Sequence, residues 1–410
     1  MIKNTHVFLA AATLVSCLAT PVTLAGGNTS DLFKDLQQNK GIMLPFKSVD
    51  NAEVILFKGH ESNLNLPSGT RRAFGENFTL QGEFEGKRAC VVYTESPTSS
   101  DMKFMFDKNG KEALVFLSDE YMAHISTHEV SHCLSHDFAK ANYEINSLLN
   151  SREFSNIKMQ VRTLDLAIRE THADLISTLI GASKTGSWST FGNVILPLRS
   201  AKFDPRHSTL SAVYAIIEKI DPRDLYGKKQ SQVTELGNLL FKKEFFNGNS
   251  ISLKSPGVYS ILQDWSASGR EMEYVSEKLR SPDAIKGSRI IIPYLGLAES
   301  ILGKNSLYDE AHANRFYNLK KLALHQQYTM TNNYQDSFRS VGFAEELKSN
   351  IKKELMFLEA LTNETHQASH VNKNYTLKSD LLESVRLANQ SKPLIVTRKR
   401  EEPKEMTSKI

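Results

Sequence analysis

The chain of 410 residues has little of several things that would fix its class at once. An excess of one charge is missing: 50 basic residues against 46 acidic leave a formal net charge of +4, and the basic residues are scattered, which argues against a nucleic-acid groove. Cysteine is sparse, at three residues, too few for a fold built on disulfides. After the first 25 residues there is no long apolar run. The nearest, RIIIPYLGLAESILG at 289–303, is broken by Pro293 and Glu299, so no integral membrane segment is expected once the N-terminus is removed. Internal repeats and long low-complexity linkers are absent too, and the length allows two lobes around a cleft.

What is present begins at the N-terminus. Lys3 precedes the apolar run VFLAAATLVSCLATPVTLA and then GGNTSD, the order of a secretory signal with a cut after Ala25. LVSC at 14–17 offers a second reading, a lipobox that would make Cys17 a lipid anchor. Both readings take the protein out of the cytosol, to the periplasm or the medium. Cleavage after Ala25 leaves Cys90 and Cys133, which either pair in an oxidising compartment or lie as two buried thiols.

Between residues 51 and 118 the sequence reads as short strands: EVILF (53–57), FTLQGEF (78–84), ACVVYTE (89–95), KFMF (103–106) and ALVFL (113–117). Asn109-Gly110 between the last two is a hairpin signal. The expectation is α+β: a small N-terminal antiparallel sheet, then a mostly helical region. Ser118 can cap the first helix, expected at 119–137, with others at 140–150 and at 156–181, the latter stopped by Gly181. Further helices are expected at 208–219, 231–245, 257–280, 293–303, 308–327, 343–362 and 378–390. The expected division is a signal peptide at 1–25, a first domain at 26–220, a helical domain at 221–390 and a charged, disordered tail at 391–410.

HISTHEVSHCLSHD, residues 124–137, carries the chemistry. On a helical wheel Met122, Ala123, Val130, Cys133 and Leu134 share one arc, and His124, His128, His132 and His136 share the other with Glu129. Steps of four residues drift by about 40°, so the four imidazoles cannot all converge on one tetrahedral ion. Within the row, His128-Glu129-Val130-Ser131-His132 places two imidazoles one turn apart, able to grip one zinc ion, with Glu129 beside its open side. Such a carboxylate can take a proton from an activated water and pass it to a leaving amine. A catalytic zinc needs a third protein ligand. In IRETHADLIS, Glu170 and Asp174 lie one turn apart, opposite Leu164, Ile168, Leu175 and Leu179, and His172 points away from them.

HEVSH followed by a helical Glu-x-x-Ala-Asp resembles the gluzincin branch of the zincin metallopeptidases, which includes the neprilysin and CAAX-prenyl-protease groups. The resemblance covers roughly residues 105–210. It implies a zincin-like fold, His128, His132 and Glu170 as zinc ligands, Glu129 as general base and acid, and Asp174 as the group that orients one histidine. The spacing from His132 to Glu170 falls between those of the shorter and longer gluzincin groups, so the likeness reaches the branch and not a subgroup. Similar peptidases often place a His or Tyr where His207 stands, in FDPRHSTLSAV, to stabilise the oxyanion, with Arg206 a weaker alternative. The strand ALVFL either binds substrate backbone along its edge or is a plain core strand.

The expected function is an exported zinc endopeptidase acting on a peptide or protein substrate. The alternative is a non-catalytic periplasmic zinc-binding or structural protein with a zincin-like fold.

Overall fold

The computed structural model describes residues 42–47, 53–59, 78–84, 87–93, 102–106, 113–134, 143–152, 157–201, 203–279, 282–338 and 341–368. The signal, Cys17, His136, the Asn109-Gly110 turn, the helix expected at 378–390 and the tail lie outside these residues.

Six strands precede the helices: β1 (Ile42–Lys47), β2 (Glu53–Gly59), β3 (Phe78–Phe84), β4 (Lys87–Tyr93), β5 (Met102–Phe106) and β6 (Ala113–Leu117). The first four form one sheet in the order β1-β2-β4-β3. It is mixed, which corrects the antiparallel expectation: β3 and β4 pair as a hairpin, and β4 then lies against β2 in parallel register, Val54 opposite Arg88. A strand's composition marks its existence but not its neighbour, so this crossover left no trace in the pattern. β5 and β6 form the expected antiparallel pair, Phe106 opposite Ala113.

The helices follow: α1 (Ser118–Leu134), α2 (Tyr143–Asn150), α3 (Lys158–Thr185), α4 (Leu196–Ser200), α5 (Leu210–Ile217), α6 (Gln230–Phe245), α7 (Pro256–Leu279), α8 (Pro282–Leu302), α9 (Glu310–Asn333) and α10 (Val341–Ala368). A two-residue hairpin, β7 (Phe246–Asn247) with β8 (Ser250–Ile251), joins α6 to α7. The described residues are thus α+β and mostly helical. Among them no helix is long and apolar enough to cross a membrane.

Several helix ends differ from the expectation, α9 and α10 each running six residues further, and two differences turn on a glycine and a proline. α3 runs past Gly181 to a left-handed C-cap at Gly186 (φ 67°), whose N–H donates to Ala182 O. Gly181 serves packing instead: a Cβ there would lie 1.9 Å from Thr190 Oγ1, so its bareness lets the next segment approach the helix. α8 begins at Pro282, eleven residues earlier than expected, and contains Pro293 within it.

α1 packs on β2, β3 and β4 and also along α3. One apolar core extends from Ile145 to Leu361 and draws on α3, α5, α6, α7, α9 and α10, so residue 220 is not a break in the packing. Trp265, Tyr214, Tyr317, Phe191 and Phe241 are among its largest buried side chains. Each such burial contributes about 1.5–3 kcal/mol, enough to fix α3 against its neighbours. A smaller cluster of Phe116, Tyr121, Ile125 and Val194 ties β6 to α1. Cys133 is disulfide-bonded, and β4, which carries Cys90, packs against its helix.

Candidate metal centre

α1 buries the face that carries its histidines. His124, His128 and His132 are 2%, 5% and 7% exposed, whereas Ala123 on the apolar arc is exposed. The apolar arc is therefore not the buried one, with Ala123 exposed and Met122 and Val130 only half-buried: α3 lies over the histidines instead and presents Glu170 and Asp174, 6% and 0% exposed. The polar arcs of two helices have met to make a polar core, in which Glu170 and Asp174 pair with His128 and His132 while His124 is left without a hydrogen-bond partner.

The donors are closely set. His128 Nε2 lies 3.1 Å from His132 Nε2 and 3.1 Å from Glu170 Oε2, and His132 Nε2 lies 3.4 Å from Glu170 Oε1. These three residues can hold a metal ion. Glu129 is half-buried on the same turn and is not one of the donor group.

Asp174 approaches from behind, its Oδ1 2.9 Å from His128 Nδ1. Arg199, on α4, donates to both Asp174 oxygens, Nε to Oδ2 and Nη2 to Oδ1, at 2.8 Å each. Thr209 Oγ1 donates to Oδ2 at 2.6 Å. Arg199 Nη2 also lies 3.4 Å from Glu170 Oε2. A second group, His124 with His128 and Asp174, also brings its donor atoms within 4.8 Å of one another. Its carboxylate is already engaged by Arg199, Thr209 and His128, whereas Glu170 Oε1 faces only His132 among the contacts described. The first group is therefore the better seat. Both ring nitrogens of His124 are buried without a hydrogen-bond partner.

His207 joins the site from a 3-10 turn, Pro205–His207, that Asp204 caps by accepting from Arg206 N. Its Nδ1 lies 2.8 Å from Asp204 Oδ2 and its Nε2 3.3 Å from Glu170 Oε2. Arg206, the weaker alternative, pairs with Asp204. His172 points away as expected, its Nε2 2.9 Å from Asn238 Oδ1 and its ring against Phe241.

Burial dominates the electrostatics and the partners decide its outcome. It drives His124 and His132 down to about 3, so both are neutral and have a lone pair to give. Burial would lower His128 as well, but Asp174 and Glu170 outweigh it and raise His128 to about 10. His207 rises to about 9 because Glu170 and Asp204 overcome its burial. Burial would raise the Glu170 carboxyl, yet His207, His132 and His128 together hold it well below the usual range. Asp174 is likewise depressed against its burial, chiefly by Arg199 and His128.

The expected residues His128, His132, Glu170, Asp174 and His207 are thus brought together. Arg199, Thr209 and Asp204 were missed. Asp204 had a signal, an Asp-Pro pair that caps a turn. Arg199 had none: it follows a wide π-turn, Phe191–Ile195, where the 3.6-residue period fails. Asn193 on that turn donates to Glu120 in the first turn of α1 and accepts from Gln326 of α9, which fixes the turn against both helices. Comparison with protein-family models, with curated proteins and with solved structures finds no match, so the reading of this centre rests on its own geometry.

Proposed function

We propose that the protein is an exported zinc-dependent endopeptidase with a zincin-like catalytic region, in which His128, His132 and Glu170 hold the metal. The observation that carries this is the close approach of three donor groups: His128 Nε2 and His132 Nε2 lie 3.1 Å apart, and the Glu170 carboxylate meets the first through Oε2 at 3.1 Å and the second through Oε1 at 3.4 Å. Ligand bonds of about 2.0–2.1 Å in a tetrahedron require donor separations of about 3.3 Å, so two imidazoles and one carboxylate stand at zinc spacing with a fourth position left over. The mixed nitrogen and oxygen set suits zinc better than calcium or magnesium, which take oxygen ligands.

Bound zinc would polarise the scissile carbonyl and acidify a water at that fourth position. The remaining work falls to the chain. Glu129, more exposed than its neighbouring histidines, takes the water's proton and delivers it to the departing amine. His207, 23% exposed and oriented by Asp204, donates to the carbonyl oxygen as negative charge develops there. Asp174 fixes the ring of His128, and Arg199 and Thr209 fix Asp174. Glu129 and His207 are thus more open to solvent than the three donors behind them.

The depth of those donors favours one alternative, a protein that stores or is braced by zinc without turnover, since structural sites are closed. Purified protein, stripped by chelator and then reloaded with one equivalent of zinc, separates the two. The peptidase cleaves unfolded casein only when reloaded, and the binder takes up the zinc and cleaves nothing. The export signal, the peptide substrate and the lipid anchor at Cys17, if LVSC is the cleavage signal, belong to the same proposal.

A further inference from the structure

The helical region after residue 220 carries no motif of its own, yet it holds the segment that presents His207. Trp265, at the middle of α7 and fully buried, donates its indole N–H to Pro205 O at 3.1 Å. Its neighbour Asp264, also fully buried, accepts from Ser211 N through Oδ2 at 3.1 Å, satisfying an otherwise open N–H in the first turn of α5. These two adjacent residues therefore grip the chain two residues before His207 and four residues after it.

Asp264 is held in turn. Its Oδ1 lies 2.8 Å from His312 Nε2, and His312 Nδ1 lies 3.1 Å from Arg315 Nη2. A guanidinium only donates, so Nδ1 accepts and the ring proton sits on Nε2, directed at Asp264. His312 stands in the first turn of α9, where Asp309 caps the helix and is itself bound by Tyr259 of α7. Gln263, beside Asp264, donates to Ser306 O and accepts from Asp309 N, so α7 and α9 are stitched together where His312 meets Asp264. Tyr294 of α8 packs edge-on against both Trp265 and Phe203, at the start of the same segment.

We propose that Trp265 and Asp264, with His312 behind Asp264, are positioning residues for His207, and that this is a function of the helical region. The inference rests on the peptidase reading, because His207 has a task only there. In a site of this kind a displacement of about 1 Å costs roughly 100-fold in rate, and two hydrogen bonds made by buried side chains, one on each side of the residue, are what prevents it.

The test uses Trp265→Phe, which keeps the ring and removes the donor. On casein-derived peptide it is expected to lower kcat roughly 10- to 100-fold with KM little changed, and to add no loss in a His207→Ala background. An equal loss in that background would mark Trp265 as merely structural and overturn the proposal. His312→Phe should lower kcat in the same way, and His312→Gln, whose amide can still donate to Asp264, should restore it. Hydrogen exchange of residues 206–211 reads the grip without any substrate. Faster exchange in Trp265→Phe, with zinc content unchanged, supports the grip on the segment, and a parent that then cleaves nothing overturns the peptidase reading, and with it the task of His207, but not the grip. Unchanged exchange overturns the positioning role whatever the activity.

Discussion

Arg199 holds both oxygens of Asp174 at 2.8 Å, and Asp174 in turn meets His128 at 2.9 Å. A buried cation thus stands two contacts behind a candidate metal ligand. It keeps Asp174 ionised, and the ionised carboxylate orients the imidazole.

Replacing Arg199 by Ala leaves Asp174 buried with one fewer charge partner. The expected cost is about 3–5 kcal/mol of stability, because an uncompensated buried charge is worse than no pair at all. Zinc affinity should fall roughly 10- to 100-fold. Denaturant titration and competition with a zinc chelator measure the two. Retained affinity would mean that Arg199 does not act through Asp174 on His128.

The metal-free protein should be most stable near the ordinary histidine pKa of about 6.5. Above it, folded His128 and His207 keep protons, up to about 10 and about 9, that the unfolded chain releases, so stability falls as pH rises through that window. Below it, the unfolded chain gains protons that folded His124 and His132 refuse down to about 3, so stability falls again. Zinc must displace the proton of His128, so zinc affinity should instead rise with pH over the upper window. Thermal melts of stripped and zinc-loaded protein from pH 5 to 9.5 check both signs, and stripped protein that gains stability above pH 7 would contradict them.

His124 is buried with both ring nitrogens unpartnered, and Asp174 beside it is already engaged by donors. His124→Phe should therefore bind one zinc as the parent does, and change stability by less than about 1 kcal/mol, since an apolar ring replaces an unpaired polar one. Mass spectrometry under native conditions gives the stoichiometry. A lost ion would place His124 in the ligand set.

Gly181 and Gly186 should fail for different reasons. Gly181→Ala drives a methyl into Thr190 and should cost about 1–3 kcal/mol by overpacking. Gly186→Ala finds space but a φ of 67°, and should cost about 1 kcal/mol. Urea denaturation of both variants ranks them, and a harmless Gly181→Ala would mean that Thr190 gives way and that the bareness of Gly181 does not set this approach.

Much of the site was legible because it lies on two helices. Four-residue spacing puts His128 with His132, and Glu170 with Asp174, on single faces, and opposed polar faces had to meet. The wheel could not say what covers the histidine face, so the burial of His124 went unforeseen. Arg199 was illegible for a physical reason: the π-turn at Phe191–Ile195 resets the helical phase, and its contact with Asp174 is tertiary. β2 to β6 were legible as runs of β-branched and aromatic residues, whereas β1, which carries Pro45, and the two-residue β7 and β8 were not. The parallel pairing of β2 with β4 was not, because register between distant strands is set by packing.

The most direct measurement is Glu129→Gln, with zinc content and casein cleavage determined on the same preparation. The zinc-loaded parent should cleave, and the variant should keep its zinc while losing cleavage roughly 100- to 10,000-fold, since only the proton acceptor has gone. A zinc-loaded parent that cleaves no unfolded protein, or a variant that cleaves at the parent's rate, would contradict the peptidase reading.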